Sequence, residues 1–388
     1  MTMKKIIFVN NNMKVGGVQK SLYNLLWALD GRYDMTLLVF SPVGAYIDQL
    51  PPSVKVLTCD SLVRYLGLNQ GECKRKLTRG ALAAYCRVFG RPAVMKLLLA
   101  TQKTLPGEYD CAIAFLQNGR KSNFYGGVQE FVLRRIKASR KVAFLHCDYS
   151  RCGANYPENN ALLGEFDRIV ACSDGCRDVF CETVPALREK CGTVRNTHRF
   201  EEIRAMAQEE PVRYDAGTCN ILMVSRLAHE KCIDRAIAGV KTCADRGIPV
   251  MLHIVGGGPM RKSLEAAAKD AGIGELVRFY GEQRNPYRYL AGADLFLMTS
   301  EHEAAPMVIE EAGCLGIPVL TTRTTSSREM VTDRDLGWVC ENSQPHIEKT
   351  LITVTSDLSA LRQKKIQLQN RTPDNREALR QFAALIEG

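Results

Sequence analysis

The sequence predicts an α/β protein made of two successive doubly wound parallel-sheet domains, and three observations carry that prediction. Short apolar runs alternate with longer stretches of helical period, the pattern of repeated βαβ units. The alternation halts in a polar, acidic stretch, Glu201–Asp215, which contains Glu209-Glu210-Pro211, and then begins again. Gly-Ile-Pro-Val occurs at Gly247–Val250 and again at Gly316–Val319, both times as a helix stop, a proline and the start of a buried strand. At 388 residues the chain is too long for one ordinary core. The expected domains are 1–200 and 201–374, followed by a final helix over 375–388. Two such domains predict a cleft between them, a preferred place for ligands.

In the first domain, strands are expected at Ile6–Val9, Met35–Phe40, Val54–Leu57, Tyr109–Phe115, Val142–Leu145 and Arg168–Ala171. A helix is expected from about Val18 to Leu29, and Ser173-Asp174-Gly175 is a helix-capping signal. Glu201–Asp215 reads as a linker helix. The second domain supplies strands at Cys219–Val224, Val250–Val255, Val277–Tyr280, Leu295–Met298 and Val319–Leu320. Good helix formers run from Met307 to Leu315, with Pro306 where a first-turn proline belongs. At the C-terminus, Asn375–Glu387 places Leu379, Phe382, Ala383 and Ile386 on one helix side.

Composition narrows the class. No apolar run reaches the roughly 18 residues of a membrane-spanning helix. The N-terminal apolar run stops at Val9 before Asn10-Asn11-Asn12, which predicts a first strand, not a leader peptide. The 15 cysteines are scattered without any Cys-x-x-Cys pair, which predicts neither zinc nor a disulfide framework and suits a reducing cytosol. The net charge of +10 is uneven. No acidic residue lies between Glu72 and Glu108, where Lys74, Arg75, Lys76, Arg79, Arg87, Arg91, Lys96 and Lys103 are interleaved with leucines, Val88, Phe89 and Met95. A basic amphipathic stretch over 74–103 suits an anionic membrane surface or a polyanion, or is a solvated helix face covering its domain. The expected location is cytoplasmic, peripheral on the inner face of the plasma membrane where that stretch is used.

Chemistry-bearing residues gather at expected strand ends. Gly16-Gly17 follows the first strand and precedes a helix, either as a plain turn or as an anion-binding loop. Arg226 and Lys231 flank the turn after the second domain's first strand, where two fixed cations suit a diphosphate or are surface charge. Gly256-Gly257-Gly258-Pro259 forms a tight strand-to-helix turn that brings backbone close to a nucleotide or is purely structural. His146 follows Val142–Leu145 at the C-terminal edge of its domain, placed to touch a reacting group or to be structural. Glu303 sits in the turn before the Met307 helix. Glu311 lies eight residues on, about two helical turns and so roughly the same helix side. Both carboxylates border the crevice where open α/β sheets bind ligands. Asp333-Arg334-Asp335 resembles an Asp-x-Asp metal pair but reads as a turn, so no metal is expected.

Together, Gly16-Gly17, Ser225-Arg226-Leu227 with Lys231, Gly256–Pro259, Phe279-Tyr280-Gly281 and Glu303 to Glu311 before Gly316–Val319 resemble the retaining glycosyltransferases of family 4, which have the GT-B fold. The resemblance spans nearly the whole chain, and its second half matches best. It implies a nucleotide-sugar co-substrate, UDP- or GDP-linked, and no other cofactor. Arg226, Lys231 and the backbone N–H groups of Met307 and Val308, after Pro306, would hold the diphosphate. Glu311 would accept from the ribose hydroxyls, Glu303 would sit near the donor sugar, and Gln283 near the base. From the first domain, His146 would approach the sugar, and Gly16 and Gly17 the phosphates. Gly256 would lie at the nucleotide, and the final helix would cross back onto the first domain. Ala304-Ala305 stands where many members have Gly-Phe, which leaves the donor sugar unassigned. The expected partners are a nucleotide sugar and a glycan or lipid-linked acceptor, with no nucleic acid. A nucleotide-sugar epimerase or phosphorylase on the same fold, and a non-catalytic membrane-associated scaffold, are the competing readings.

Overall fold

The computed structural model describes residues 3–68, 76–121 and 126–388, which form two compact units, one ending at His198 and joined by Asn375–Gly388, the other Arg199–Asp374. The first unit runs β1 (Lys5–Asn10), α1 (Gly17–Ala28), β2 (Asp34–Val39), β3 (Lys55–Thr58), α2 (Lys76–Ala100), β4 (Tyr109–Ala114), α3 (Val128–Arg135), β5 (Ala138–Leu145), α4 (Pro157–Gly164), β6 (Arg168–Ala171), α5 (Asp174–Thr183) and β7 (Cys191–Thr193). Its seven strands are all parallel in the order β3-β2-β1-β4-β5-β6-β7. The order reverses between β1 and β4, because the chain builds outward from β1 in one direction and then returns to build in the other. Side chains of β1 alternate between two cores. Ile7 and Val9 join one, and Ile6 and Phe8 the other. That alternation buries both faces, as a parallel sheet covered by helices requires.

The second unit runs α6 (Phe200–Gln208), β8 (Cys219–Val224), α7 (Ile233–Asp245), β9 (Val250–Val255), α8 (Arg261–Asp270), β10 (Val277–Gly281), α9 (Tyr287–Gly292), β11 (Leu295–Met298), α10 (Met307–Cys314), β12 (Val319–Thr322), β13 (Gly337–Cys340), α11 (Gln344–Thr355) and α12 (Leu358–Gln369). Its six parallel strands are ordered β10-β9-β8-β11-β12-β13, and the order reverses between β8 and β11.

The last helix, α13 (Arg376–Glu387), belongs to the first unit. Phe382 is fully buried, stacked on Phe8 at 6.2 Å and edge-on to Tyr33 at 6.0 Å. Arg140 donates to the Leu385 carbonyl (2.6 Å) and Lys4 to that of Ile386 (3.0 Å), satisfying orphan acceptors of the helix C-terminus.

Several expectations need correction. Glu201–Asp215 is not a free linker. Its helical part, α6, buries Phe200, Ile203 and Ala207 against Tyr287 and Cys314 of its own unit. Strand β5 begins at Ala138, ahead of the apolar run, because Ser139, Arg140 and Lys141 extend the ladder with β4 while staying partly exposed. The edge strands β7 and β13 are not among the expected ones, because β7 has three residues, Cys191-Gly192-Thr193, and both edges are only partly buried and open on a glycine or place one inside. The basic stretch is not one amphipathic helix. Gly90 has φ 80° and ψ 166°, and Pro92 follows, so α2 is two helices across a break. Arg91 is buried and paired with Glu130, whereas Arg87, Lys96 and Lys103 are exposed. Lys74 and Arg75 lie outside the described residues, as does the side chain of Lys76.

Phe382→Ala is expected to destabilise the first unit by about 3–5 kcal/mol, the usual cost of emptying a buried phenylalanine site. Urea unfolding followed by near-UV dichroism checks it, and a loss below about 1 kcal/mol would mean that α13 contributes little to that core.

Candidate active site

Where strand order reverses, the loops after the two central strands leave in opposite directions and open a crevice at the carboxyl edge of the sheet. In the second unit these loops follow β8 and β11. They bring together Lys231 and Glu303, which are 72 residues apart, with Nζ 2.5 Å from Oε1. Ser300 Oγ donates to the same carboxylate oxygen at 2.7 Å. The loops are also joined through backbone. The Glu301 N–H donates to the Glu230 carbonyl (2.9 Å), and Thr299 Oγ1 donates to that of Cys232 (2.8 Å). Both Lys231 and Glu303 are largely shielded from solvent, so this contact is far less screened than a surface pair. Arg226 stands in the same loop with a side chain 69% exposed, and it pairs with Glu230 four residues on. Its guanidinium is therefore the exposed cation of the loop and Lys231 the shielded one.

Glu311 is 4% exposed in the middle of α10. Pro306 is the residue before the helix, in extended conformation (φ −66°, ψ 119°), not its first turn. Glu303 precedes the helix altogether, so helical periodicity does not relate it to Glu311. Glu303 stands at the sheet edge because β11 delivers the turn there, and it shares no helix side with Glu311. Met307 and Val308 occupy the first two helical positions, whose N–H groups have no intrahelical acceptor and sit at the positive end of the helix dipole.

Gly256 has φ 140°, and a Cβ on it would lie 1.9 Å from the Ser225 carbonyl oxygen. Gly258, at φ 154°, would meet the Leu227 oxygen at 2.4 Å. The Leu227 N–H donates to the Gly257 carbonyl (2.8 Å), and the Gly256 N–H donates to that of Gly281 (2.8 Å). These glycines are thus demanded by the packing of the β9 loop on the β8 and β10 loops. Gly256 fixes the Arg226 turn whatever else it touches. Gln283 is exposed just after β10, its Nε2 donating to the Tyr280 carbonyl at 2.8 Å. Asp333-Arg334-Asp335 is a structural turn in which Asp335 pairs with both Lys364 and Arg371.

In the first unit, Gly16 caps α1 and Gly17 is its first residue, in the loop after β1 at that sheet's own reversal. A Cβ on Gly17 would meet nothing within 4 Å, so packing within the unit does not require glycine there. His146 follows β5, its ring 4.6 Å from that of Phe115 and 5.9 Å from that of Phe144. Its backbone N–H donates to Gln117 Oε1 at 3.1 Å, while Nε2 is buried without a hydrogen-bond partner among the described residues. Burial lowers its pKa to about 4, so the imidazole is neutral near pH 7.

Two contributors escape a sequence reading. Ser300 orients Glu303, and a serine three residues before a glutamate carries no signal outside a helix. Gln117 holds the His146 backbone across 29 residues of chain, which only the β4–β5 pairing makes local.

A family model described as "Glycosyl transferases group 1" matches residues 210–367, most of the second unit. A GDP-mannose-dependent alpha-(1-6)-phosphatidylinositol dimannoside mannosyltransferase of Mycobacterium tuberculosis is 29% identical over 225 residues, 56% of this chain and 54% of that one. The lipopolysaccharide core biosynthesis glycosyltransferase LpsE of Rhizobium meliloti is 36% identical over 88 residues, 23% of this chain and 26% of its own. This chain thus spans about half the length of the mannosyltransferase and less of LpsE. Among solved structures, Anabaena HepE in complex with UDP and glucose superposes with a TM-score of 0.67 at 19% identity, covering 99% of both chains. That likeness shows the fold, GT-B, with its two doubly wound α/β domains.

The lowered pKa of His146 sets a sign. Between pH 6.5 and 4 an unfolded imidazole takes up a proton that the folded one refuses. Its contribution to stability is therefore complete above pH 6.5 and declines as pH falls through that window. Thermal melts from pH 8 to 4 are expected to show His146→Gln losing less stability below pH 6.5 than the parent, and parallel curves would contradict the buried neutral state.

Proposed function

Since residues 210–367 belong to the group 1 glycosyl transferases, we propose that this protein transfers a hexosyl group from a UDP- or GDP-sugar to a glycan or lipid-linked acceptor, with retention and without a metal ion. The observation that carries the proposal is the strand-reversal site of the second unit. There a shielded cation (Lys231), an exposed one (Arg226) and the N-terminus of α10 belong to loops that meet. Transfer leaves a nucleoside diphosphate on which negative charge grows as the glycosidic bond breaks. Cations and helix N–H groups already oriented at that charge stabilise the transition state with little reorganisation. Pro306 sets the entry of α10, so Met307 and Val308 present their N–H groups to the diphosphate. Gly256 holds the Arg226 turn in place, Glu311 accepts from the ribose hydroxyls, and Gln283 lies toward the base.

Glu303 is a positioning carboxylate for Lys231 and for the donor sugar, not an acid or base, because retention on this fold needs no carboxylate pair flanking the bond. The leaving phosphate itself assists removal of the acceptor proton. Neutral His146 offers a hydrogen bond to the sugar, and Gly16 and Gly17 leave room beside the phosphates. The names of the relatives support a role in bacterial envelope polysaccharide or glycolipid assembly, and the location proposed with it is cytoplasmic. No helix among the described residues is long and apolar enough to cross a membrane, and the cationic face of α2 suits peripheral attachment to an anionic surface.

Replacing Arg226 and Lys231 together by alanine is expected to cost ~2 kcal/mol or more, about 30-fold in kcat/KM for donor turnover, since two charge-assisted contacts are lost. Activity of the parent is expected to survive chelation by EDTA. Turnover within about twofold in the double variant removes the diphosphate assignment, and sugar epimerisation without an acceptor contradicts transfer.

A further inference from the structure

The first unit contains a cavity of about 380 Å³ between the second half of α2, α3 and α4. Its deep end is rigid. Arg91, 4% exposed, pairs with Glu130 and donates from Nη2 to Asn118 Oδ1 at 2.7 Å. Asn118 continues to Asn159 Oδ1 at 3.0 Å, and Asn159 donates to the Tyr149 hydroxyl at 2.9 Å. Arg91 Nε is buried with no acceptor among the described residues. A buried pair of this kind leaves the floor almost neutral and fixed in shape.

The rim differs. Five cations and two carboxylates line the whole cavity, an excess of three positive charges. Lys121 and Arg134 are engaged by Glu158 and Glu165 in half-exposed pairs, which hold their partners weakly. Among the described residues Lys96 makes no ion pair, and Arg135 donates to the carbonyls of Leu99 and Arg134. Two cations lining the cavity thus have no carboxylate partner among the described residues. Between rim and floor the wall is apolar, with Met95 and Leu99 from α2 and Leu162 from α4.

The exposed surface of α2 carries apolar side chains too. Leu77, Val88, Phe89 and Leu97 of α2 are 90%, 73%, 62% and 43% exposed. Leu97 adjoins Lys96 at the rim. Large aliphatic and aromatic side chains on a helix without a single acid suit a lipid surface.

We propose that this cavity takes the phosphate head of an anionic lipid, the phosphate against Lys96 and Arg135 and the first methylenes of the chain against Met95, Leu99 and Leu162. The proposal rests on the membrane-surface reading of α2 and adds to it one stoichiometric lipid site. A bare inorganic phosphate would satisfy the two cations but leave the apolar wall wet, so the geometry favours an amphiphile.

Isothermal titration with dihexanoyl phosphatidic acid, kept below its micelle concentration, tests the site on the full chain. Saturable binding is expected, weakened at least tenfold by Lys96→Glu and by Leu162→Asp. Dihexanoyl phosphatidylcholine and inorganic phosphate are expected to bind at least tenfold more weakly than the acid. Inorganic phosphate binding as tightly, no saturable binding, or no effect of Lys96→Glu overturns the proposal. Val88→Asp separates the two readings, because it should weaken flotation with phosphatidylglycerol vesicles and leave binding of the soluble lipid intact. Soluble-lipid binding in a parent protein that fails to float removes the membrane reading and keeps the lipid site. Flotation without soluble-lipid binding does the reverse.

Discussion

The contact between Lys231 and Glu303 depends on a reversal of strand order. Had β11 been added beyond β10, its loop would have emerged three strands from that of β8 and no side chain could have closed the gap. Because β11 instead pairs with the other edge of β8, two loops leave the same sheet edge side by side. Every other feature of the second site follows from that placement. Gly256 and Gly258 let the β9 loop press on the β8 loop, and the Glu301–Glu230 backbone bond joins it to the β11 turn. The turn then feeds α10, so the start of that helix is held by the same loops as the cations.

This dependence explains what could be read from the sequence. Buried parallel strands are nearly continuous apolar runs, so Cys219–Val224, Val250–Val255 and Leu295–Met298 declare themselves. The loops after them then carry the polar residues that matter, and Arg226, Lys231, Glu303 and Glu311 stand out by position. Edge elements do not declare themselves. β7 and β13 have few residues and are only partly covered, and half of β5 is polar. Helical spacing misled for Glu303 and Glu311, since the helix begins only at Met307. Gly256 shows a different limit. Glycine after a strand signals close approach, but the sequence does not say to what, and here the neighbouring backbone accounts for it.

The first unit divides its charge in a way that no count of lysines and arginines reveals. Arg91 lies amid seven other cations in sequence, and among the described residues of that stretch it is the cation drawn into the interior, where Glu130 and Asn118 hold it. The break at Gly90 makes this possible by turning the chain just before it. What remains outside is a helix with basic and apolar residues together, beside a cavity with a cationic rim. The two sheets thus serve different chemistry at corresponding places. The reversal in the second is flanked by cations and a helix start, and that in the first by glycines and buried asparagines after β1.

The central claim is that the strand-reversal site of the second unit is built for a nucleoside diphosphate. Calorimetric titration with UDP and with GDP in metal-free buffer tests it most directly. The account predicts saturable binding of at least one of them, weakened about tenfold by Glu311→Gln through loss of a ribose hydrogen bond to a charged acceptor. Absence of binding by both, or binding that Glu311→Gln leaves unchanged, would contradict it.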